Sequence, residues 1–160
     1  MTQHTATVEW TGNGAVFTDN RYSRAHVWRF DGGAVVPASS SPHVVRVPLS
    51  DPAGVDPEEA YVAALSSCHM LWFLSIAARE GYVVSAYRDA AQGTMATNEA
   101  GKEVVTRVVL KPAVTFAGSK APDDEGLRRL HHEAHDACYL ANSVKTVIDV
   151  EGRWEFVGDR

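Results

Sequence analysis

Ala60-Tyr61-Val62-Ala63-Ala64-Leu65-Ser66-Ser67-Cys68-His69-Met70-Leu71-Trp72-Phe73-Leu74-Ser75-Ile76-Ala77-Ala78 carries no formal charge, and the residues on either side mark it as one helix. Before it stands Asp56-Pro57-Glu58-Glu59. Asp56 can cap the free amides of a first turn, Pro57 suits the first helical position, and Glu59 three residues on completes a capping box. After it, Gly81 is free to take the left-handed closing conformation, so the spacing predicts a helix running to about Glu80. Length alone also meets the criterion for a membrane span. Against that, the stretch holds Ser66, Ser67, His69 and Ser75, and amphipathic strands elsewhere need a surface to pack on. A central helix covered on several sides is the reading adopted.

Upstream, Thr5–Trp10 alternates polar and apolar residues as a half-buried strand does, with turn residues at Thr11-Gly12-Asn13-Gly14. His26–Phe30 repeats the alternation before Asp31-Gly32-Gly33. Val44–Val47, fenced by Pro42 and Pro48, is a third strand candidate, giving a small antiparallel sheet. Downstream, Val83–Thr97 and Glu103–Leu110 read as two long strands joined through Asn98-Glu99-Ala100-Gly101. Leu110–Phe116 extends the second past Pro112. A second helix starts near Asp123, with acidic residues in its first turn where the helix dipole favours them. Its apolar residues Leu127, Leu130, Ala134, Cys138 and Ala141 recur at three- and four-residue steps, placing Cys138 near the centre of that face. Val147–Val150 and Trp154–Phe156 supply a last strand. A single domain over 1–160 is expected.

The hydrophobic share of 45% is that of an ordinary globular chain. A net charge of −5, with no stripe of Lys and Arg, argues against a nucleic-acid surface and toward small-molecule or protein partners. Met1–Thr5 has neither the basic nor the apolar region of a secretory signal, so the cytoplasm is the expected compartment. A permanent structural disulfide is disfavoured there, and a bonding cysteine pair would be a transient, functional one.

Cys68 and Cys138 are the only two cysteines. A buried thiol on a helix is often no more than a small hydrophobe. Two of them on helices sharing one core can instead form a redox pair, provided that a nearby cation favours the thiolate; Arg21, Arg24, Arg29 and Arg79 are the candidates. A competing arrangement gathers His131, His135 and Cys138, with His69, around zinc or a small ligand. Helical geometry weighs against it, since His135 falls roughly 60° from Cys138 around the helix. The plainer expectation for His131, His132 and His135 is a solvated edge, donating to carboxylates such as Glu133 and Asp136. Ser66 and Ser67 lack the Gly-x-Ser-x-Gly turn of a nucleophilic serine.

Taken together, Asp56-Pro57-Glu58-Glu59, Ala63-Ala64-Leu65-Ser66-Ser67-Cys68-His69-Met70-Leu71 and Ala134-His135-Asp136-Ala137-Cys138-Tyr139-Leu140-Ala141-Asn142-Ser143 resemble the OsmC/Ohr family of thiol-dependent hydroperoxide reductases. Tyr22-Ser23-Arg24-Ala25-His26 and the hairpin with Gly93 and Met95 extend the likeness over nearly the whole chain, nearer to the OsmC-like branch with Cys-His-Met. The resemblance implies an α+β fold in which two protomers intertwine, antiparallel sheets wrapped around two long central helices, with active sites at the homodimer interface. It places Cys68 at the peroxidatic position, Cys138 at the resolving position, Glu58 at the family's glutamate and Arg24 at the arginine that holds the thiolate. It further implies an organic hydroperoxide substrate, an external dithiol such as a lipoyl group as reductant, and no metal or organic cofactor. The apolar neighbours Met70, Leu71 and Trp72 suit an alkyl or aryl peroxide. Ten helical residues set Glu58 and Cys68 about 15 Å apart along one axis. A glutamate serving Cys68 would therefore come from the neighbouring protomer or act through Arg24.

Overall fold

Alternation at Ala6–Glu9 (β1) and His26–Phe30 (β2) builds an antiparallel pair in which Val8 faces Trp28. These come from a computed structural model that describes residues 1–158. The third strand is not Val44–Val47 but Val35–Ala38 (β3), which pairs with β2 through a tight turn where Gly33 has φ +89°. Pro37 is tolerated because β3 is an edge strand and needs no donor on its outer side. The Val44 and Val45 amides both donate to the Ser41 carbonyl at 3.0 Å, so the segment between the two prolines curls into a turn and leaves Val44 and Val47 exposed.

The long helix α1 spans Pro57–Arg79, with the Asp56 carboxylate accepting from the Glu59 amide at 2.8 Å and Gly81 closing at φ +76°. The chain divides into two compact units, the first ending at Ala60 in the first turn of α1. In the second unit, Leu65, His69, Phe73, Ile76 and Ala77 form the buried stripe of α1. Its lower half seats Leu65 against Val108 and Leu110, and its upper half seats Phe73, Ile76 and Ala77 against Val114, Phe116, Leu127, Leu130 and Ala134. The helix is not covered all round. Ala64, Ser67, Leu71, Ser75 and Ala78 form an uncharged, exposed face on the other side.

The strands of this unit switch sheets. The stretch predicted as one strand from Val83 to Thr97 breaks at Ala90-Ala91 into β4 (Val83–Asp89) and β5 (Gln92–Thr97). Likewise β6 (Glu103–Leu110) and β7 (Pro112–Ala117) are separated at Lys111, and β8 (Val147–Val150) and β9 (Arg153–Phe156) at Glu151-Gly152. One sheet runs β4-β7-β9 and the other β5-β6-β8. Asp89 holds the corner: its carboxylate accepts from the Ser66 hydroxyl at 2.5 Å and from the Lys111 amide at 2.6 Å. Both sheets are mixed, because β8 and β9 run parallel to β6 and β7. The second helix, α2 (Asp124–Ala137), is capped by Asp123, whose carboxylate accepts from the Gly126 amide at 2.7 Å. Arg129 of α2 donates to both carboxylate oxygens of Glu80 at 2.6 and 2.7 Å, tying the two helices at their solvent edge and holding the Glu80 carboxyl below its usual range.

The packing of α1 on the β5-β6-β8 sheet is close enough to demand glycine at position 93, where an added Cβ would lie 2.6 Å from Val62 Cγ2. Gly93→Ala should therefore lower the urea midpoint by the equivalent of roughly 1–3 kcal/mol, because Val62 or the helix that carries it must shift to admit the methyl. An unchanged midpoint would show that α1 sits more loosely on β5 than described.

Candidate active site

Cys68 lies mid-way along α1 and is half-buried; Cys138 is buried, with 1% of its surface exposed. Cys138 is not at the centre of a helical face as its spacing suggested. Helix α2 ends at Ala137, and Cys138 caps it with extended backbone, ψ 113°. The polar residues that follow explain the stop. The Asn142 amide nitrogen Nδ2 donates to the carbonyls of Asp136 and Cys138, both at 2.9 Å, and its backbone N–H reaches the Cys138 carbonyl at 3.1 Å. These bonds satisfy carbonyls that a continuing helix would otherwise use. A short 3-10 turn at Ala141–Ser143 then returns the chain.

Both cysteines are free thiols, and the Cys138 thiol donates to the Cys68 sulfur across 2.8 Å. A disulfide requires about 2.05 Å. The bond is thus less than an ångström of closure away. Burial, followed by the bond to Cys68, pushes the Cys138 thiol up to about 11, while the Ala141 amide, donating to its sulfur at 3.4 Å, acts in the opposite direction. Cys138 therefore keeps its proton at neutral pH. Trp72, one turn beyond Cys68, meets the ring of Tyr139 edge-on at 5.5 Å and 82°, fastening the two cysteine-bearing segments together.

Arg24 and Glu58 belong to the first unit, where both line a cavity of about 480 Å³. Its lining is mostly apolar, with Trp10, Phe17, Tyr22 and Val44 beside the polar Ser40 and Ser41. Of Arg21, Arg24, Arg29 and Arg79, Arg24 alone lines it. Its guanidinium lies 3.8 Å over the Tyr22 ring and donates to the Asn20 carbonyl at 3.1 Å, to Asn20 Oδ1 at 2.8 Å and to the Tyr22 carbonyl. Among the described residues no ion pair joins Arg24 to Glu58; Asn20 and Tyr22 orient the arginine. Arg29 is paired with Glu9 at 2.6 Å, and Arg79 reaches Glu133 at 3.7 Å.

The histidines differ most from expectation. His131 is not on a solvated edge: it is 5% exposed, and its Nδ1 shares a 3.0 Å hydrogen bond with Nε2 of His69, itself 1% exposed, one ring donating and the other accepting. The rings stack at 5.3 Å, and His131 stacks in turn on Phe73 at 4.4 Å. Its far side abuts Gly152, where any Cβ would come within 2.5 Å of Nε2. The signal was present in the sequence. His131 falls on the Leu127–Leu130–Ala134 stripe and His69 on the Leu65–Phe73 stripe, each at helical spacing. His132 behaves as expected, pairing with Asp136 at 3.3 Å on the surface, and His135 stays partly exposed. The zinc arrangement of His131, His135 and Cys138 is not formed, since no three His, Cys, Asp or Glu side chains converge to hold a metal among the described residues.

Residues 50–152 match the family described as OsmC-like protein, and the chain belongs to the OsmC/Ohr family. An OsmC-like protein of unknown function from Vibrio cholerae is 55% identical, the match covering 96% of this chain and 100% of that one with a TM-score of 0.93. The same fold occurs in an organic hydroperoxide resistance protein from Elizabethkingia anophelis, at 16% identity over 98% and 99% of the two chains with a TM-score of 0.68. It also occurs in the organic hydroperoxide resistance protein OhrB of Bacillus subtilis, at 15% identity over 96% and 98% with a TM-score of 0.60. No curated protein matches the chain.

Burial lowers His69 to about 4, with His135 adding to the drop and Asp89 opposing it, and burial together with His69 lowers His131 to about 3. The unfolded chain takes up these protons near pH 6.5, whereas the folded chain resists them until far lower. Stability from this pair is thus complete above about pH 6.5 and is lost as the pH falls toward about 4. Urea midpoints measured between about pH 7 and 4.5 should fall steeply, and less steeply in the double variant His69→Leu/His131→Leu. Equal slopes in the two proteins would contradict the burial of the pair.

Proposed function

We propose that the chain is a thiol-dependent peroxidase that reduces organic hydroperoxides. The observation that supports this most is the 2.8 Å approach of two free thiols, one half-buried and one sealed and protonated. The Cys68 thiolate attacks the distal oxygen of a hydroperoxide, the O–O bond breaks, and the alkoxide leaves as an alcohol after taking a proton. Cys68 is then a sulfenic acid. The Cys138 sulfur attacks the Cys68 sulfur; its proton goes to the departing hydroxide, giving a Cys68–Cys138 disulfide and water. An external dithiol, such as a lipoyl group, becomes a disulfide in turn and restores both thiols. A reducing cytoplasm would keep such a dithiol available.

The cation and the peroxide pocket would come from Arg24 and Glu58 of a second copy. Two features support this. The Arg24 cavity has apolar walls suited to an alkyl or aryl group, with its arginine already oriented by Asn20 and Tyr22. The uncharged exposed face of α1 at Ala64, Ser67, Leu71, Ser75 and Ala78 is the kind of surface that a homodimer buries. In such a dimer each chain would lend its arginine and glutamate to the other's thiol.

Consumption of cumene hydroperoxide with dihydrolipoamide as reductant tests the reading. Cys68→Ser should abolish turnover, and Cys138→Ser should stop after one equivalent with Cys68 held as a sulfenic acid that dimedone traps. Arg24→Gln should lower kcat/KM on the order of a hundredfold, the loss typical of a preorganised charge donor. Mixing the weakened Arg24→Gln with inactive Cys68→Ser under subunit-exchange conditions should raise activity well above that of either alone, because a mixed dimer holds one complete site. Peroxide consumption by Cys68→Ser at the wild-type rate would end the peroxidase reading, and absence of complementation would end the shared-site part of it.

A further inference from the structure

The structure assigns Cys138 a second task before it ever bonds to Cys68: we infer that its thiol is the hydrogen-bond donor that holds negative charge on the Cys68 sulfur and so prepares the attacking nucleophile. The inference rests on the reading of Cys68 as the attacking thiol. It differs from a resolving role, which begins only once Cys68 has been oxidised.

Direction and distance carry it. The hydrogen bond runs from Cys138 Sγ to Cys68 Sγ at 2.8 Å, so Cys68 is the acceptor. An acceptor sulfur gains most from a donor when it is ionised, since bonds to charged groups are about twice as strong as neutral ones. The donor itself receives a bond, because the Ala141 N–H points at the Cys138 sulfur at 3.4 Å. Ala141 N–H, Cys138 S–H and Cys68 sulfur therefore form a short chain in which each bond polarises the next. Such a chain works only if the middle thiol keeps its proton. Cys138 is 1% exposed, and burial keeps it in the S–H form at neutral pH.

The surroundings fix the geometry rather than merely allowing it. Asn142 brackets the carbonyls of Asp136 and Cys138, Ser143 Oγ donates to the Tyr139 carbonyl at 2.7 Å, and Trp72 holds Tyr139 from the α1 side. The turn from Cys138 to Ser143 thus brings a backbone N–H to the same Cys138 sulfur whose thiol bonds to Cys68. Sequence spacing alone would not place it so, because a continuing helix would turn the Ala141 N–H toward a backbone carbonyl.

The step leaves the later chemistry balanced. The donated hydrogen stays on Cys138 while Cys68 attacks the peroxide, and only in the condensation does it leave with the hydroxide of the sulfenic acid, forming water as the S–S bond closes. One hydrogen serves twice, first as a donor and then as the proton lost.

The test compares wild type, Cys138→Ala and Cys138→Ser, each fully reduced, in the second-order reaction of iodoacetamide with Cys68, followed by peptide mass spectrometry as a function of pH. Cys138→Ala should react about tenfold more slowly near pH 7, the loss expected for one hydrogen bond to a charged group, with its profile moved to higher pH. Cys138→Ser, which keeps a donor of similar size, should recover most of the rate although it cannot form the disulfide. Thermal midpoints measured alongside check that all three are folded. Equal rates in the three proteins, or a serine variant as slow as the alanine one, would overturn the assignment. The alkylation readout needs no peroxide, so a wild type that alkylates in the expected order yet consumes no hydroperoxide would refute the peroxidase reading and leave this one standing.

Discussion

The meeting of the two thiols depends on the contact between the buried stripe of α1 and α2. Phe73 stacks on His131 at 4.4 Å, His131 bonds to His69 at 3.0 Å, and Leu130 and Ala134 close the same layer. These contacts fix the separation and rotation of the helices one turn from Cys68. Cys138 then needs only the first step beyond α2 to reach the sulfur opposite. The arrangement is costly in one respect: His69 Nδ1 and His131 Nε2 find no hydrogen-bond partner among the described residues. A buried polar atom left so costs about 1–3 kcal/mol. Stacking on Phe73 and the fit against Gly152 offset part of that, and they leave little freedom for either ring to turn.

From this constraint the differing environments of the cysteines follow. Cys138 lies where α2 ends against the core and loses its water, so its proton is hard to remove. Cys68 remains half-buried. The difference follows from their places, Cys68 mid-way along α1 and Cys138 at the first step beyond α2. Arg24, a loop residue of the first unit, has its guanidinium held over Tyr22 by the Asn20 side chain and two backbone carbonyls. A guanidinium with several of its donors used to fix its plane presents the remaining ones in a defined direction.

Much of the fold was legible because its signals are local. The Asp56-Pro57 start, the uncharged run and Gly81 define α1 within a residue or two, and the Asn98–Gly101 turn joins its hairpin as its composition indicates. The pairing of Cys68 with Cys138 was open in the residues themselves and came from the family likeness. What was not legible depends on distant parts of the chain. Nothing near Ala90 or Lys111 says that the strands there change sheets; the corner is set by Asp89, which reaches Ser66 on α1 and the Lys111 backbone. The end of α2 was missed because Cys138 and Ala141 keep the helical spacing of apolar residues, while the capping amide of Asn142 comes four residues later. His131 was assigned to the surface because its neighbours His132, Glu133 and Asp136 are polar. Its place on the apolar stripe outweighed that company.

The most direct test of the account is a map of sulfur bonding after one equivalent of hydroperoxide. The fully reduced protein is treated, alkylated, digested without reductant and weighed. The account predicts that each chain loses two hydrogen atoms and yields a single cross-linked pair of peptides carrying Cys68 and Cys138, formed within one chain. A product in which Cys138 remains alkylatable while Cys68 advances to sulfinic acid, or in which the link joins two chains, would contradict it.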